Sequence, residues 1–160
     1  MTTPETVPSV DIWVLNAEGA PETVNTAEFF GTGRSVLFGV PGAFTPGCSM
    51  SHLPGFVEHF DELIAKGVDR VACVSVNDAW AMDAWGKAHG ADGKITMLAD
   101  GNGEFAAAMG LTMDVSVVGL GTRSKRYAAV IDDGRITALN VDESGAVDDS
   151  SCSTVLSSLL

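Results

Sequence analysis

The chain has 160 residues, of which 46% are hydrophobic and 19% charged, and its formal net charge at pH 7 is −12. This length and composition predict a globular chain with a sizeable core, organised as a single domain over residues 1–160. The negative charge argues against nucleic acid and anionic membrane surfaces as partners, and no apolar run approaches the roughly 18 residues needed to span a bilayer.

Apolar runs bounded by turn residues alternate with helical patterns along the chain. Strands are predicted over 11–15, 35–40, 70–76 and 95–100, followed by a hairpin of strands over 126–131 and 135–141 joined at "DDG". Helices are predicted over 46–66, 77–90, 103–110 and, with a serine cap, 150–160. The order predicts a mostly parallel central sheet with helices on both faces, to which the hairpin adds an antiparallel part. The expected fold class is therefore α/β, a thioredoxin-like fold with a central mixed sheet flanked by helices.

The stretch "VPGAFTPGCSMSH" carries a cysteine at the predicted start of a helix. Thr45 suits the N-cap and Pro46 suits the first helical position, where its missing N–H costs nothing. Cys48 then falls in the first turn, where free N–H groups and the helix dipole favour a thiolate. Such an environment can lower a cysteine pKa from about 8.5 to roughly 3.5–7.5.

A thiolate in so acidic a chain needs a local cation. Distant surface charges are screened beyond about 8 Å, whereas a cation at about 4 Å contributes roughly 4 kcal/mol at an effective dielectric of 20. Strand alternation from Val130 turns Ala128 and Arg126 toward the core, and an inward arginine needs an anion such as Cys48. The alternative is that Arg126 reaches solvent and pairs with a surface carboxylate.

The spacing P-x-x-x-T-x-x-C, formed by Pro41, Thr45 and Cys48, resembles the motif that marks peroxiredoxins. The similarity continues through "HLPGFVE", "GVDRVACVSVND" and "RSKRYAAVIDDGRITALNV" and covers nearly the whole chain from about Val7. The chain looks most like the type II group, the peroxiredoxin-five branch.

The resemblance implies a role for each matching residue. Cys48 is the expected peroxidatic cysteine, whose thiolate attacks a peroxide and becomes sulfenic acid. Thr45 is expected to hydrogen-bond the thiolate and orient the peroxide, and Pro41 to shield the site from water. Arg126 is expected to stabilise the thiolate and the polarised O–O bond, with Arg123 as the second candidate.

Two further residues are expected to contact substrate. The backbone N–H groups of Gly47 and Cys48 would help to hold the peroxide oxygens. Phe44 is either a core residue or part of an apolar wall that admits alkyl peroxides. No metal, haem or flavin is implied.

We expect different roles for the other two cysteines. Cys152 matches the place of a resolving cysteine that some type II members have and others lack. A disulfide between Cys48 and Cys152 needs Cα atoms within about 7 Å, so we expect local unfolding before it forms. Cys73, inside the apolar run "VACVSV", is expected to be a buried inert thiol.

The predicted activity is a thiol peroxidase that reduces hydrogen peroxide and small alkyl hydroperoxides. The resemblance implies thioredoxin, glutaredoxin or glutathione as reductant, and a homodimer that forms around the active-site loop. The beginning of the sequence has no basic region followed by an apolar stretch, so a cytoplasmic location is expected.

Two alternatives from other classes remain open at the level of sequence. One is a peroxide-sensing redox regulator that passes the oxidation of Cys48 to a partner. The other is a hydrolase that pairs Cys48 with His52, four residues later on the same helical face. A histidine that only packs beside the site is the simpler interpretation of His52.

Overall fold

The computed structural model describes residues 3–46, 48–143 and 147–159, with the side chains of Cys48 and Met50 outside the description. The strands are β1 Asp11–Leu15, β2 Pro21–Asn25, β3 Arg34–Val40, β4 Arg70–Ser75, β5 Ile95–Ala99, β6 Thr112–Asp114, β7 Thr122–Ser124, β8 Arg126–Asp132 and β9 Arg135–Asp142. The helices are α1 Thr26–Phe29, α2 Leu53–Glu58, α3 Phe60–Ala65, α4 Ala79–Ala88, α5 Glu104–Met109 and α6 Cys152–Ser158. A π-helical turn spans Cys48–His52 and a 3₁₀ turn spans Ser116–Val118.

The central sheet has seven strands in the order β2-β1-β5-β4-β3-β8-β9. β4 pairs in parallel with β3 and β5, and every other pairing in this sheet is antiparallel. The prediction of a mostly parallel sheet is therefore wrong, because hairpins extend both edges of the parallel centre. The predicted thioredoxin-like fold with a mixed central sheet is confirmed.

Helices and loops cover both faces of the sheet. One face carries an apolar cluster that includes Phe38, Phe56, Trp85 and Val155. The opposite face carries a second cluster that includes Phe105. Such two-sided burial explains the nearly continuous apolar sequence of β3, β4 and β8. Among the described residues, no helix combines the length and apolar character needed to cross a membrane.

Sequence patterns do not reveal α1 or the three short strands β2, β6 and β7. β2 is an edge strand of largely exposed residues, so it lacks the apolar alternation of a half-buried strand. β6 and β7 have three residues each and, in the part of the chain that the structure describes, pair only with each other. These strands are held by backbone pairing and leave little hydrophobic signal.

The helix predicted over 46–66 is divided into three parts. The π-helical turn comes first, α2 begins at Leu53 with Pro54 in its first turn, and α3 begins at Phe60. Proline has no N–H to donate to the turn before it, so the regular helical bonding is interrupted there. π-Helical turns are frequent at functional sites, and this one begins at Cys48.

Candidate active site

The loop before Cys48 lies at the carboxyl end of β3, beside the carboxyl end of the parallel strand β4. The Ala43 N–H donates to Asn77 Oδ1 over 2.9 Å, and Ser75 Oγ donates to the same oxygen over 2.7 Å. Asn77 therefore fixes the loop to the segment that follows β4. Open α/β sheets bind ligands in this position, outside the carboxyl ends of their parallel strands.

Thr45 folds the loop back on itself. Its Oγ1 donates to the carbonyl oxygen of Gly42 over 2.6 Å, and its own carbonyl oxygen accepts from the Ser49 N–H over 2.9 Å. The one hydroxyl proton is thus used within the loop and not for the predicted hydrogen bond to the Cys48 thiolate, while the lone pairs of Oγ1 can accept. The predicted capping bond to the first helical amides involves Gly47, which lies outside the described residues, as does the predicted contact of Gly47 with substrate.

Phe44 projects from the tip of the loop. Its side chain is 57% exposed, and its backbone has φ 64°, a conformation unfavourable for a residue with a Cβ. The interpretation of Phe44 as a core residue is wrong. Its exposure beside Thr45 leaves open the predicted role in an apolar wall of the site.

Cys48 begins the π-helical turn, so the predicted position at a helix start is confirmed for its backbone. The next residue is tied to the core, because Trp85 Nε1 donates to Ser49 Oγ over 2.9 Å. The Cys48 side chain lies outside the described part of the chain, and its thiolate character stays a prediction.

Arg126 is buried, with 3% of its surface exposed. Its Nη1 lies 3.1 Å from Nδ1 of His52, whose ring packs against Phe38 and Phe56. The alternation of β8 therefore predicted the direction of Arg126 correctly, and the alternative of a solvent-exposed arginine is wrong.

The contacts of His52 fix its tautomer. A guanidinium has only donors, so Nδ1 of His52 accepts from Arg126. Nε2 then carries the proton and donates to the Ser150 carbonyl oxygen over 3.0 Å. Burial, and secondly the charge of Arg126, lower the pKa of His52 from 6.5 to about 3. Both ring nitrogens are engaged and the ring is neutral, which argues against a hydrolase that uses His52 as base.

A second arginine contacts the loop directly. Arg123 Nε donates to Leu120 O over 2.8 Å, and its Nη1 donates to Pro41 O over 3.4 Å. A Cβ at Gly42 would lie 3.3 Å from this Nη1 and 3.0 Å from Thr45 Cγ2, so glycine permits the close approach. Arg123 thus contacts the loop before Cys48, and Arg126 contacts the turn that Cys48 begins.

The other two cysteines are both buried. Cys73 is fully buried in β4, as predicted for a core residue. Cys152 is a free thiol at the start of α6 and is 2% exposed. Burial, with a smaller contribution from the charge of Glu62, raises the pKa of Cys152 to about 12. In this conformation Cys152 is a protonated, poorly accessible thiol.

Sequence reasoning missed one acidic residue near the site. The Asp142 carboxylate at the end of β9 accepts from the N–H groups of Asp148, Asp149 and Ser150 over 2.9–3.0 Å, and from Ser150 Oγ over 2.5 Å. The Ser150 carbonyl oxygen accepts from His52. No local pattern marks Asp142, because its partners lie six to eight residues farther along the chain, between β9 and α6.

A family model, curated relatives and a solved structure point to the same family. The Redoxin family model matches residues 3–156. Peroxiredoxin-2E-2, chloroplastic, of Oryza sativa is 51% identical over 89% of this chain, which spans less than two thirds (65%) of that relative. Peroxiredoxin-2B of Arabidopsis thaliana is 41% identical, with 97% of this chain and 96% of the relative covered. The crystal structure of reduced Prx3 from Vibrio vulnificus in complex with H₂O₂ has a TM-score of 0.93 and 45% identity, covering 100% of this chain and 99% of that one.

The depressed pKa of His52 predicts acid destabilisation. Between pH 6.5 and about 3, the unfolded chain binds a proton at His52 that the folded chain does not bind. The free energy of unfolding should therefore fall by about 1.4 kcal/mol per pH unit as the pH falls through this window. His52→Gln, which keeps a donor and an acceptor, should remove this part of the pH dependence in urea unfolding from pH 7.5 to 4.5.

His59→Gln is the matched control for this measurement. His59 is hydrogen-bonded to Glu62, which raises its pKa, so it contributes stability that is present at low pH and lost as the pH rises. Its replacement should leave the acid destabilisation intact. An unchanged slope in His52→Gln would contradict the assignment of a neutral, buried ring.

Proposed function

The chain belongs to the Redoxin family and, within it, to the type II peroxiredoxins, and from this we propose that it reduces peroxides through the Cys48 thiolate. The sulfur attacks one oxygen of hydrogen peroxide or a small alkyl hydroperoxide. An S–O bond forms as the O–O bond breaks, the sulfur is oxidised by two electrons to sulfenic acid, and the leaving oxygen takes a proton and departs as water or alcohol. The observation that carries this proposal is the contact of the buried Arg126 with His52, in the turn that Cys48 begins, while Arg123 contacts the loop before that turn.

The buried cation is the main electrostatic support for this reaction. A positive charge at about 4 Å from a thiolate contributes roughly 4 kcal/mol at an effective dielectric of 20. Arg126 is screened little by salt because it is buried. We assign it to the thiolate and the developing charge on the peroxide, with Arg123 as the second candidate.

In this proposal, the residues of the loop before Cys48 bind and orient the peroxide. Since Thr45 Oγ1 donates its proton to Gly42, it orients the substrate by accepting from the peroxide O–H. Pro41 is buried and shields the site from water. The N–H groups of Gly47 and Cys48 hold peroxide oxygens, and Phe44 borders the entrance for alkyl groups.

The sulfenic acid at Cys48 is resolved by Cys152 or by an external thiol. The raised pKa and burial of Cys152 oppose attack from its docked position. Local unfolding of α6 before the disulfide forms is therefore part of the proposal. Thioredoxin, glutaredoxin or glutathione returns the enzyme to its reduced form.

We also infer that two copies of this chain form a homodimer. Phe44 and Trp80 are 57% and 55% exposed, on two segments that Asn77 ties together. Phe44 exposes a large apolar side chain from a loop conformation with an unfavourable φ, and a second copy of the same patch would cover it in a two-fold contact. We also propose a cytoplasmic location, where a reducing environment suits the free thiol of Cys152; cell fractionation checks it.

Peroxide consumption by cysteine variants tests the central reaction. Cys48→Ser should abolish turnover with thioredoxin, glutaredoxin and glutathione, each supplied separately, while Cys73→Ser should keep it. Cys152→Ser should keep the first reaction with peroxide and lose turnover with donors that require a disulfide. Full activity in Cys48→Ser would contradict the proposal, and full activity in Cys152→Ser with every donor would remove only the resolving role.

The arginine assignment is tested by comparing two substitutions. Arg126→Ala should slow the reaction of Cys48 with peroxide by about 10²-fold, as expected for loss of one stabilising donor, and raise the Cys48 pKa. Arg123→Ala should have the smaller effect on both quantities. Stopped-flow kinetics and the pH dependence of alkylation measure them. The reverse ranking would move the cation role to Arg123.

The homodimer is tested by sedimentation velocity. Trp80→Glu introduces a charge into the proposed contact and should weaken self-association by at least about tenfold. Ile64→Glu, at a 41% exposed apolar position on α3, is the control and should not change it. A wild-type chain that sediments as a monomer at micromolar concentration would refute the dimer.

A further inference from the structure

A continuous chain of hydrogen bonds joins the segment before Cys152 to Arg126. Asp142 accepts from the N–H and hydroxyl of Ser150, and Ser150 O accepts from His52 Nε2. Nδ1 of His52 then accepts from Arg126 Nη1. This series of hydrogen bonds begins at Asp142, at the end of β9. It passes through Ser150, two residues before Cys152, and ends at Arg126, the proposed catalytic cation.

All four residues in this series of hydrogen bonds are buried. The exposed fractions are 7% for Asp142, 0% for Ser150, 1% for His52 and 3% for Arg126. Water cannot easily replace a lost partner at such positions, so breaking one link leaves a buried polar group to find another. The links are therefore expected to hold or yield together.

The two ends of this series of hydrogen bonds, Asp142 and Arg126, are charged. Burial opposes ionisation of Asp142, but the hydrogen bonds from Ser150, Asp148 and Asp149 outweigh it, and the pKa of the carboxyl is lowered. Charge-assisted bonds to this carboxylate are stronger than neutral ones.

The His52 ring is confined by its apolar neighbours. Its centroid lies 5.0 Å from that of Phe38 and 5.6 Å from that of Phe56. Contact on its sides restricts the ring, so its two nitrogens face fixed partners. A ring held in this way can transmit a displacement of Ser150 to the Arg126 guanidinium.

We propose that His52 is a positioning residue that couples docking of the Cys152 segment, held by Asp142, to the alignment of Arg126 with Cys48. This inference rests on the proposed peroxidase function. While the segment is docked, Arg126 is aligned for the reaction with peroxide. When the segment detaches to deliver Cys152, the Ser150–His52 bond breaks and Arg126 loses this support. By reciprocity, disturbing Arg126 or His52 weakens the docking of the segment.

The test is a double-mutant cycle in the full-length chain. His52→Phe keeps a packed ring and removes both hydrogen bonds, while Asp142→Ala removes the anchor of the segment. Each single variant should slow the first reaction of Cys48 with hydrogen peroxide by about tenfold and raise the Cys48 pKa. The double variant should be no slower than the slower single variant, because both substitutions interrupt the same series of hydrogen bonds. Tryptophan fluorescence can follow the reaction, since Trp85 contacts Ser49 beside Cys48.

Two matched variants separate positioning from a general loss of structure. His52→Gln can donate to Ser150 O and accept from Arg126, so it should recover most of the rate that His52→Phe loses. Glu143→Ala removes a neighbouring carboxylate that contacts Lys125, and it should leave both the rate and the Cys48 pKa unchanged. If Asp142→Ala does not fold, Asp142→Asn, which keeps an acceptor, takes its place in the cycle.

Alkylation of the cysteines, mapped by mass spectrometry, provides the reciprocal measurement. Cys152 should be alkylated several-fold faster in His52→Phe and Asp142→Ala than in the wild type, while the fully buried Cys73 serves as internal control. Native rates and a native Cys48 pKa in Asp142→Ala, or additive effects in the cycle, would overturn the coupling. Lack of reaction between wild-type Cys48 and peroxide would instead refute the proposed function, while the Cys48 pKa would still test the coupling.

Discussion

The buried guanidinium of Arg126 is the constraint on which the site depends. A charge with 3% exposure is stable only where partners replace its lost hydration. One of these partners is His52, which accepts from the guanidinium only because its ring is neutral. The neutral ring carries its one N–H on Nε2, which donates to Ser150 O, so His52 links Arg126 to the segment before Cys152.

This arrangement shows why the net charge of the chain does not decide its chemistry. The charge of −12 would disfavour a thiolate if all carboxylates acted equally. Most of them are solvated, and Asp142 is occupied by the amides and hydroxyl of the segment that it holds. The cations whose contacts lie nearest to Cys48 in the described residues are Arg126, which contacts His52 in the same turn, and Arg123, which contacts Pro41 in the preceding loop. Charges at such short range act more strongly than distant solvated carboxylates.

Local patterns predicted the elements that carry strong hydrophobic or capping signals. Asp78 caps α4 by accepting from the Ala81 N–H, and Gly110 ends α5 in the left-handed conformation, both as their residue types indicate. The polar edge strand β2 and the β6–β7 hairpin were missed because backbone pairing, with little burial, holds them. The parallel character of the sheet was overestimated, since apolar runs report burial on both faces and not strand direction.

The sequence by itself determined that Cys48 lies in the first turn of a helical segment, the inward direction of Arg126 and the family that its motif spacing resembles. The first two follow from short-range rules, namely capping, proline at a first helical position and the two-residue period of a strand. The third follows from the spacing of Pro41, Thr45 and Cys48. Only the tertiary structure decided the partners of His52, the role of Asp142 and the burial of Cys152. Those contacts join residues that are far apart in the chain, and no local rule predicts which distant groups a fold will bring within hydrogen-bond distance.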